Sequence, residues 1–564
     1  MDIGKVEQLR FMNKNKLIIT AILIIAFFAR FYMLDSYPAF NADEAAIGYN
    51  AYSLIETGKD EHGNPWPVHF QSFNDYKPGL YVYMALPFVK VFGLNEWSVR
   101  IPSAFLGVLT VWLVYLLVLQ IFKKEQNYSP PTNHRTHAII AAAMIAVSPW
   151  HIHFSRGGWE VNVATFFIVL GVLLFLKAIS KPNFLSFALF LLPFILSLYT
   201  YHSARVIVPL IGIALLTVFR KEIKQSYKKF VLAGIAGFIL LIPLLIDMTQ
   251  GSVLSRAAGV GLFADQGPLA RVNEQRGEHL NYTGIPATVM HNKPANYGLA
   301  FLQNWGDHYH GEFLFLSGDD IQRNKVPETG QLYLIELLFI GVALYGIVKR
   351  PKGWGLVFLW LFIAPVAAAL TFQSPHALRS HNMIIPLTVI SAYGFVVLKQ
   401  LILSSKHLKN IRTIVILLIF IIYALNVARY FHIYYKHMAE EYPFSSQYGV
   451  KELVSYVESK ENEFESVVIT DRYDQPYILF LFYLKYPPQK FQQEHVLTDK
   501  DEFGFSTVRN FGKYYFYPIV FDKTRLEFTD SLIVGTDEEI PKATNIVKEV
   551  NGINGYKYFE VVAN

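Results

Sequence analysis

Hydrophobic and polar positions in this chain segregate into long blocks. Apolar windows of roughly 20 residues, the length a helix needs to cross a bilayer, recur along the chain. They fall at 17–34, 99–122, 137–154, 161–179, 184–200, 205–219, 230–247, 332–348, 354–372, 381–398 and 412–431. Another apolar stretch, Gly79 to Phe92, is interrupted by Pro87 and Lys90. It reads as an interfacial or re-entrant segment, or as the start of the second span. The pattern predicts a polytopic α-helical membrane protein with about eleven transmembrane helices. The first block is too long for a signal-peptide core, and no small-residue cleavage site follows it, so it is expected to remain as a span.

Composition agrees with this pattern. Hydrophobic residues make up 53% of the 564 and charged residues 17%, where a soluble domain carries about a quarter charged. The formal charge of +6 is modest and its basic residues are dispersed, which gives no nucleic-acid signature. There is no cysteine, so disulfides, thiolate metal sites and a cysteine nucleophile are excluded.

Orientation follows from the basic residues. Lys5, Arg10, Lys14 and Lys16 precede the first span and place the N-terminus in the cytoplasm. Alternate short connections are also basic: Lys123-Lys124 with Arg135, Lys177 with Lys181, Arg220 to Lys229, Lys349 to Lys352, and Lys399 to Arg412. Residues 1–431 therefore read as a transmembrane module. Its larger outer pieces are 35–98, which carries the candidate chemistry, and 248–331. Residues 432–564 read as a small extracytoplasmic α/β domain. In it, GVKELVSYVESK (449–460) and QPYILFLFYLKY (475–486) read as helices, and SVVITD (466–471), KYYFYPIVF (513–521) and DSLIVG (530–535) as strands.

Unusual polar residues collect at the outer ends of the spans, in NADEAAIGYNAYSLIETGKDEHG (41–63), DYKPGLYVY (75–83), SRGGWE (155–160), YTYHSAR (199–205) and SPHALRSHN (374–382). A transporter would place such groups nearer the membrane midplane. Asn41 is positioned to cap a helix running to about Thr57, with Gly58 ending it and Glu44 completing a capping box. Asp43 is then left over. The second pair, Asp60-Glu61, lies among Gly, Asn and Lys and reads as a solvated turn.

An apolar first helix, then N-A-D-E-A-A-I-G-Y, Y-K-P-G-L-Y-V-Y and R-I-P-S-A-F-L-G in order, resembles the protein mannosyltransferase and aminoarabinose transferase branch of the GT-C glycosyltransferases. The match covers roughly residues 15–220, with an echo around 374–394. The resemblance implies a sugar donor carried on a polyprenyl phosphate, with Asp43 as general base and inversion at the anomeric carbon. It places Lys77 near the donor phosphate and gives Glu160 a part in holding the acceptor or sugar. Arg205 and Arg379, at outer ends of later spans, are further phosphate candidates because a guanidinium suits bidentate phosphate contacts. Glu44, next to Asp43, joins the catalytic group, and Tyr76, Arg156, Tyr201 and His202 are candidates for the substrate cavity.

Some relatives hold a metal through a Glu immediately before that lysine, but Tyr76 occupies this position here. Asp307, His308, His310, Asp319 and Asp320 have suitable ligand types without a recognised spacing and read as a solvated loop. The resemblance thus requires no cofactor and leaves room for a divalent ion. The expected partners are the lipid-linked donor, membrane lipid, and a protein, lipid or glycan acceptor, all at the outer face of a bacterial cytoplasmic membrane. A lipid-linked saccharide transporter or flippase, and a non-catalytic envelope scaffold, are the alternatives.

Overall fold

The computed structural model describes residues 3–73, 75–123, 134–180, 184–249, 259–442, 447–473, 475–499, 506–542 and 544–564. Lys124 and Lys181 of the basic connections lie outside them. Among the described residues, five helices are long and apolar enough to cross a membrane: Glu96–Ile121, Glu160–Ser180, Tyr227–Met248, His381–Ser404 and Arg412–Glu441. The pair His134–Ala146 and Pro149–Ser155, bent by 55°, would make a sixth. Other blocks form shorter apolar helices, including Leu80–Phe92, Leu185–Leu198, Ala204–Val218 and Gly355–Ala369. Proline inside Leu80–Phe92, at Pro87, and inside Ala204–Val218, at Pro209, removes a ladder hydrogen bond. The first block lies in the helix Ile3–Phe31, whose outer half carries Arg30.

Three guanidiniums, each fully buried, anchor the exit of that first helix. Arg30 donates to the carbonyls of Ala26, Ile145 and Ala146 at 3.0–3.2 Å and meets His151 Nδ1 at 2.7 Å. Arg156 donates to Ala29, Tyr32 and Tyr37 at 2.7–3.1 Å. Arg100 donates to Leu34, Pro38 and Ala39 at 2.9–3.3 Å. Carbonyls at a helix end lack intrahelical partners, and cations there also complement the helix dipole. Residues 26–39 thereby acquire donors without access to water.

The tail forms a seven-stranded mixed sheet in the order 496–497, 508–511, 514–517, 466–470, 531–535, 557–563, 546–551. Ser466–Thr470 pairs in parallel with both neighbours, and the outer strands pair antiparallel. All three expected strands occur, as do the helices Val450–Ser459 and Pro476–Tyr483. The second is almost wholly buried, which accounts for its apolar sequence without a membrane.

This domain grips the helix Ala42–Thr57. Phe40 stacks near Phe482 with centroids 4.6 Å apart, and the Tyr49 hydroxyl donates to the Tyr486 carbonyl at 2.9 Å. Gln492 Nε2 donates to Ser53 Oγ, Thr57 Oγ1 and the Asp60 carbonyl at 2.8–3.1 Å. Gly48 permits the approach, since a Cβ there would lie 2.6 Å from the Phe482 ring and 2.7 Å from Val99. Gly48→Ala is expected to cost about 1–3 kcal/mol through overpacking, read as a lower thermal midpoint of the detergent-solubilised protein. An unchanged midpoint would show that the domain yields easily at this contact.

Candidate active site

The helix Ala42–Thr57 begins as its sequence dictates. Asn41 Oδ1 accepts from the Glu44 amide at 3.1 Å and Glu44 Oε2 accepts from the Asn41 amide at 3.3 Å, closing the capping box. Gly58 ends the helix in the left-handed region. Glu44 is buried and pairs with Arg100, Nε to Oε1 and Nη2 to Oε2, both at 2.7 Å. It also accepts from the Gly158 amide at 2.8 Å. Glycine is needed there because a Cβ on residue 158 would lie 3.2 Å from Glu44 Cγ. The expectation that Glu44 belongs to the reacting group is therefore corrected. Its oxygens are engaged by a cap, a guanidinium and the SRGGWE turn, and its work is positioning.

Asp43, one residue earlier, faces outward. Its carboxylate is ion-paired with Lys77, which the hairpin His69–Ser72 and Asp75–Pro78 presents. Arg323 Nη1 approaches the other oxygen at 3.5 Å. The Asp43 and Lys77 side chains are 28% and 16% exposed, reachable yet largely out of bulk water. Lys77 Nζ also lies 5.4 Å from the Phe73 ring centroid, and Phe73 meets Tyr477 of the C-terminal domain edge-on at 6.0 Å.

Further polar groups surround this pair. Glu160 opens the helix Glu160–Ser180 and lies in the field of Lys77, Asp43 and Arg323. The Tyr201 phenol is buried, which raises its pKa, and it lies in the field of Arg379, Glu160, Arg323 and Asp43. Burial lowers the pKa of Arg379, whose electrostatic neighbours are Tyr201, Asp319 and Arg323. Its guanidinium donates to Thr371 Oγ1 at 2.8 Å. Asp43, Lys77, Glu160, Tyr201, Arg323 and Arg379 thus form one constellation drawn from six separate stretches of chain.

The remaining candidates have other work. Arg156 is buried against carbonyls and the Tyr434 and Tyr435 rings, so it does not line the cavity. Arg205 contacts His69, meets His202 Nδ1 at 3.2 Å and donates to the Leu198 carbonyl at 3.3 Å. His202 Nε2 meets the Tyr76 carbonyl at 3.0 Å. Arg205 and His202 therefore brace the hairpin from behind. Successive strand residues point to opposite faces, so Tyr76 is turned away from Lys77, with its hydroxyl 3.5 Å from Gln71 Oε1.

Of two segments expected to be solvated, one is buried and the other is buried in part, which corrects the first reading wholly and the second at His308 and Asp319. His308 and Asp319 are fully buried, while Asp320 and His310 are exposed. Asp319 accepts from the amides of Ile321 and Ala377 at 2.8 and 2.5 Å and from Asn324 Nδ2 at 3.1 Å. His308 Nε2 accepts from the His376 amide at 3.1 Å. These bonds join the loop carrying Arg323 to the turn carrying Arg379. Among the described residues, no group of three or more His, Cys, Asp or Glu could hold a metal ion.

Asp60 and Glu61 are the other case. Asp60 organises its turn by accepting from the His62 and Asn64 amides at 3.0 and 2.8 Å. Glu61 lies beneath the domain contact, where burial, helped by the Asp60 charge, raises its pKa from 4.5 to about 8. The native state therefore holds a proton between about pH 4.5 and 8 that the unfolded chain releases, and stability falls as pH rises through that window. The thermal midpoint should decline from pH 5 to 8 in wild type. Glu61→Gln should lessen the decline and raise the midpoint at pH 8; equal slopes would reject the assignment.

Apolar helices thus end at a polar constellation, and a sheet domain grips the helix that bears its carboxylate. The crystal structure of ArnT from Cupriavidus metallidurans bound to undecaprenyl phosphate superposes with a TM-score of 0.53 over 97% of each chain, at 11% identity. The family model described as dolichyl-phosphate-mannose-protein mannosyltransferase matches residues 20–254. YkcB of Bacillus subtilis (strain 168), a candidate mannosyltransferase by its description, is 34% identical over 91 residues. That stretch is 16% of this chain, and the chain covers only 11% of the length of YkcB. The oligosaccharyltransferase AglB of Archaeoglobus fulgidus, in complex with an inhibitory peptide and a dolichol-phosphate, superposes with a TM-score of 0.48 at 13% identity, over 86% of this chain and 69% of that one.

Proposed function

We propose that this protein is an integral-membrane glycosyltransferase that transfers a sugar from a polyprenyl-phosphate donor to an acceptor hydroxyl at the outer membrane face. The observation that carries this reading is the Asp43–Lys77 pair at the head of a rigidly capped helix, with Arg323 and Arg379 opposite. The donor phosphate competes with Asp43 for Lys77 and Arg323, and its binding releases the carboxylate. Asp43 then accepts the proton of the acceptor hydroxyl as that oxygen attacks the anomeric carbon. The bond to the phosphate oxygen breaks, and the electron pair remains on the polyprenyl phosphate, whose growing charge Lys77, Arg323 and Arg379 stabilise. With one carboxylate in this role and direct displacement, the product is inverted.

Glu160 and Tyr201 face the same space and supply hydrogen-bonding groups for the sugar or acceptor. Mannose-like hexoses and aminoarabinose-like pentoses, and protein, lipid or glycan acceptors, all fit this chemistry. The mannosyltransferase match favours mannose as the first donor to try. The test is release of free polyprenyl phosphate from polyprenyl-phosphate mannose by purified protein. Arg323→Ala is expected to lower kcat/KM about 10²-fold, the scale of losing one electrostatic contact to a transition state, and Lys77→Ala by at least as much. Binding of the donor without turnover in wild type would favour the transporter or scaffold readings instead.

A further inference from the structure

Outside the long apolar helices, exposed large hydrophobic side chains are concentrated in one place. The helices Gly267–Gly277, Ile285–Met290 and Lys293–Asp307 belong to an outer piece otherwise expected to face water. Ile285, Val289 and Met290 are 79%, 64% and 68% exposed, Leu299 and Leu302 are 65% and 59%, and Leu280 projects fully. Ile285 and Val289 are one helical turn apart, as are Leu299 and Leu302, so each helix offers an apolar stripe. Charged residues cluster instead on or just after the first helix, as Arg271, Glu274, Arg276 and Glu278; the third helix has charge only at its ends, at Lys293 and Asp307. A patch of this kind on a water-facing surface would be unusual.

The attachment of these helices indicates what covers them. The Leu262 amide donates to the Leu370 carbonyl at 2.8 Å, and Gly261 pairs with Thr371 across an isolated bridge. Trp305 Nε1 donates to the Phe362 carbonyl at 2.9 Å and the Tyr309 hydroxyl to that of Leu361 at 3.0 Å. The helix Lys293–Asp307 and the turn after it are thus bonded to the middle of the apolar helix Gly355–Ala369, whose Phe362 side chain, with Leu370 and Phe372 beyond, is exposed in turn. Trp and Tyr with polar tips at such a junction mark the level of lipid headgroups. The apolar stripes continue the exposed apolar surface formed by Phe362, Leu370 and Phe372.

We propose that residues 280–302 lie in the outer leaflet of the bilayer as an interfacial platform, with their apolar stripes among the acyl chains and the charged helix Gly267–Gly277 facing water. An amphipathic helix lies in the interface plane for the same physical reason. This assignment does not depend on the transfer reaction. At its far end the platform is joined to the site, because Asn304 O accepts from Ser374 Oγ at 2.8 Å and His308 accepts from the His376 amide. A bilayer that fixes the platform therefore also fixes the height of the Arg379 turn above the membrane.

The absence of native cysteine makes the test direct. Full-length Val289→Cys, Leu299→Cys and Glu274→Cys would each be labelled with an environment-sensitive fluorophore in vesicles of phosphatidylethanolamine and phosphatidylglycerol. Quenching by lipid bearing a shallow nitroxide should be at least twofold stronger at 289 and 299 than at 274, with the order reversed for aqueous iodide. Equal iodide quenching at all three sites would overturn the proposal. So would protection of 289 and 299 from both quenchers, which would mean that protein covers them. A thermal midpoint and gel-filtration profile matching the unsubstituted protein would confirm that the labelled variants remain folded.

Discussion

Asp43→Asn is expected to lower turnover by about 10²- to 10⁴-fold, the range for a lost general base, with little change in thermal midpoint. The amide cannot take the proton from an attacking hydroxyl, yet it nearly preserves the shape of the carboxylate. Its ion pair with Lys77 is partly open to solvent, and pairs of that kind contribute little to folding. Donor binding should persist, because Lys77 and Arg323 lose a competitor for the phosphate. The informative measurement is single-turnover release of polyprenyl phosphate alongside donor affinity. Release within fivefold of wild type would sink the base assignment, and loss of donor binding would assign Asp43 to the binding site instead.

The neighbouring carboxylate should fail in the opposite way. Glu44→Ala is expected to destabilise the fold by about 3–5 kcal/mol, the scale of leaving one member of a buried ion pair uncompensated. Arg100 would remain fully buried with its Glu44 contacts gone, the Asn41 cap would lose half of its box, and the Gly158 amide would lose its acceptor. Unfolding in denaturant, followed by intrinsic fluorescence, reads this directly. A midpoint shift too small to resolve would mean that Arg100 finds other partners. Comparing the two variants separates chemistry from positioning at adjacent residues.

Much of this was legible in the sequence, for identifiable reasons. The Asn41 cap, its Glu44 partner and the Gly58 stop are local features, and local rules place them correctly. Lys77 follows from the motif around it, and the strands of the tail from their alternation. Long-range partners were not legible. Arg323 lies 280 residues from Asp43 in the chain, within a polar loop that gives no sign of folding back. Asp60-Glu61 and the His308–Asp319 pair have the composition of solvated turns, yet other elements cover them, and composition does not encode what packs on top. Arg156 shows the same limit: an arginine at a span end reads as a substrate-cavity residue until the carbonyls awaiting it are located.

The three arginines on residues 26–39 bear on how the molecule can move. A segment whose carbonyls take six bonds from Arg100 and Arg156, and whose Arg30 bonds the carbonyls of Ile145 and Ala146, is a poor hinge. The helix start that bears Asp43, directly after this segment, then has a fixed footing. Under the proposed reaction, any movement around a substrate would fall to the opposite wall, the loop carrying Arg323, whose side chain is 47% exposed. Crosslinks that immobilise that loop should halt the catalytic cycle, whereas crosslinks between the first helix and its neighbours should go unnoticed.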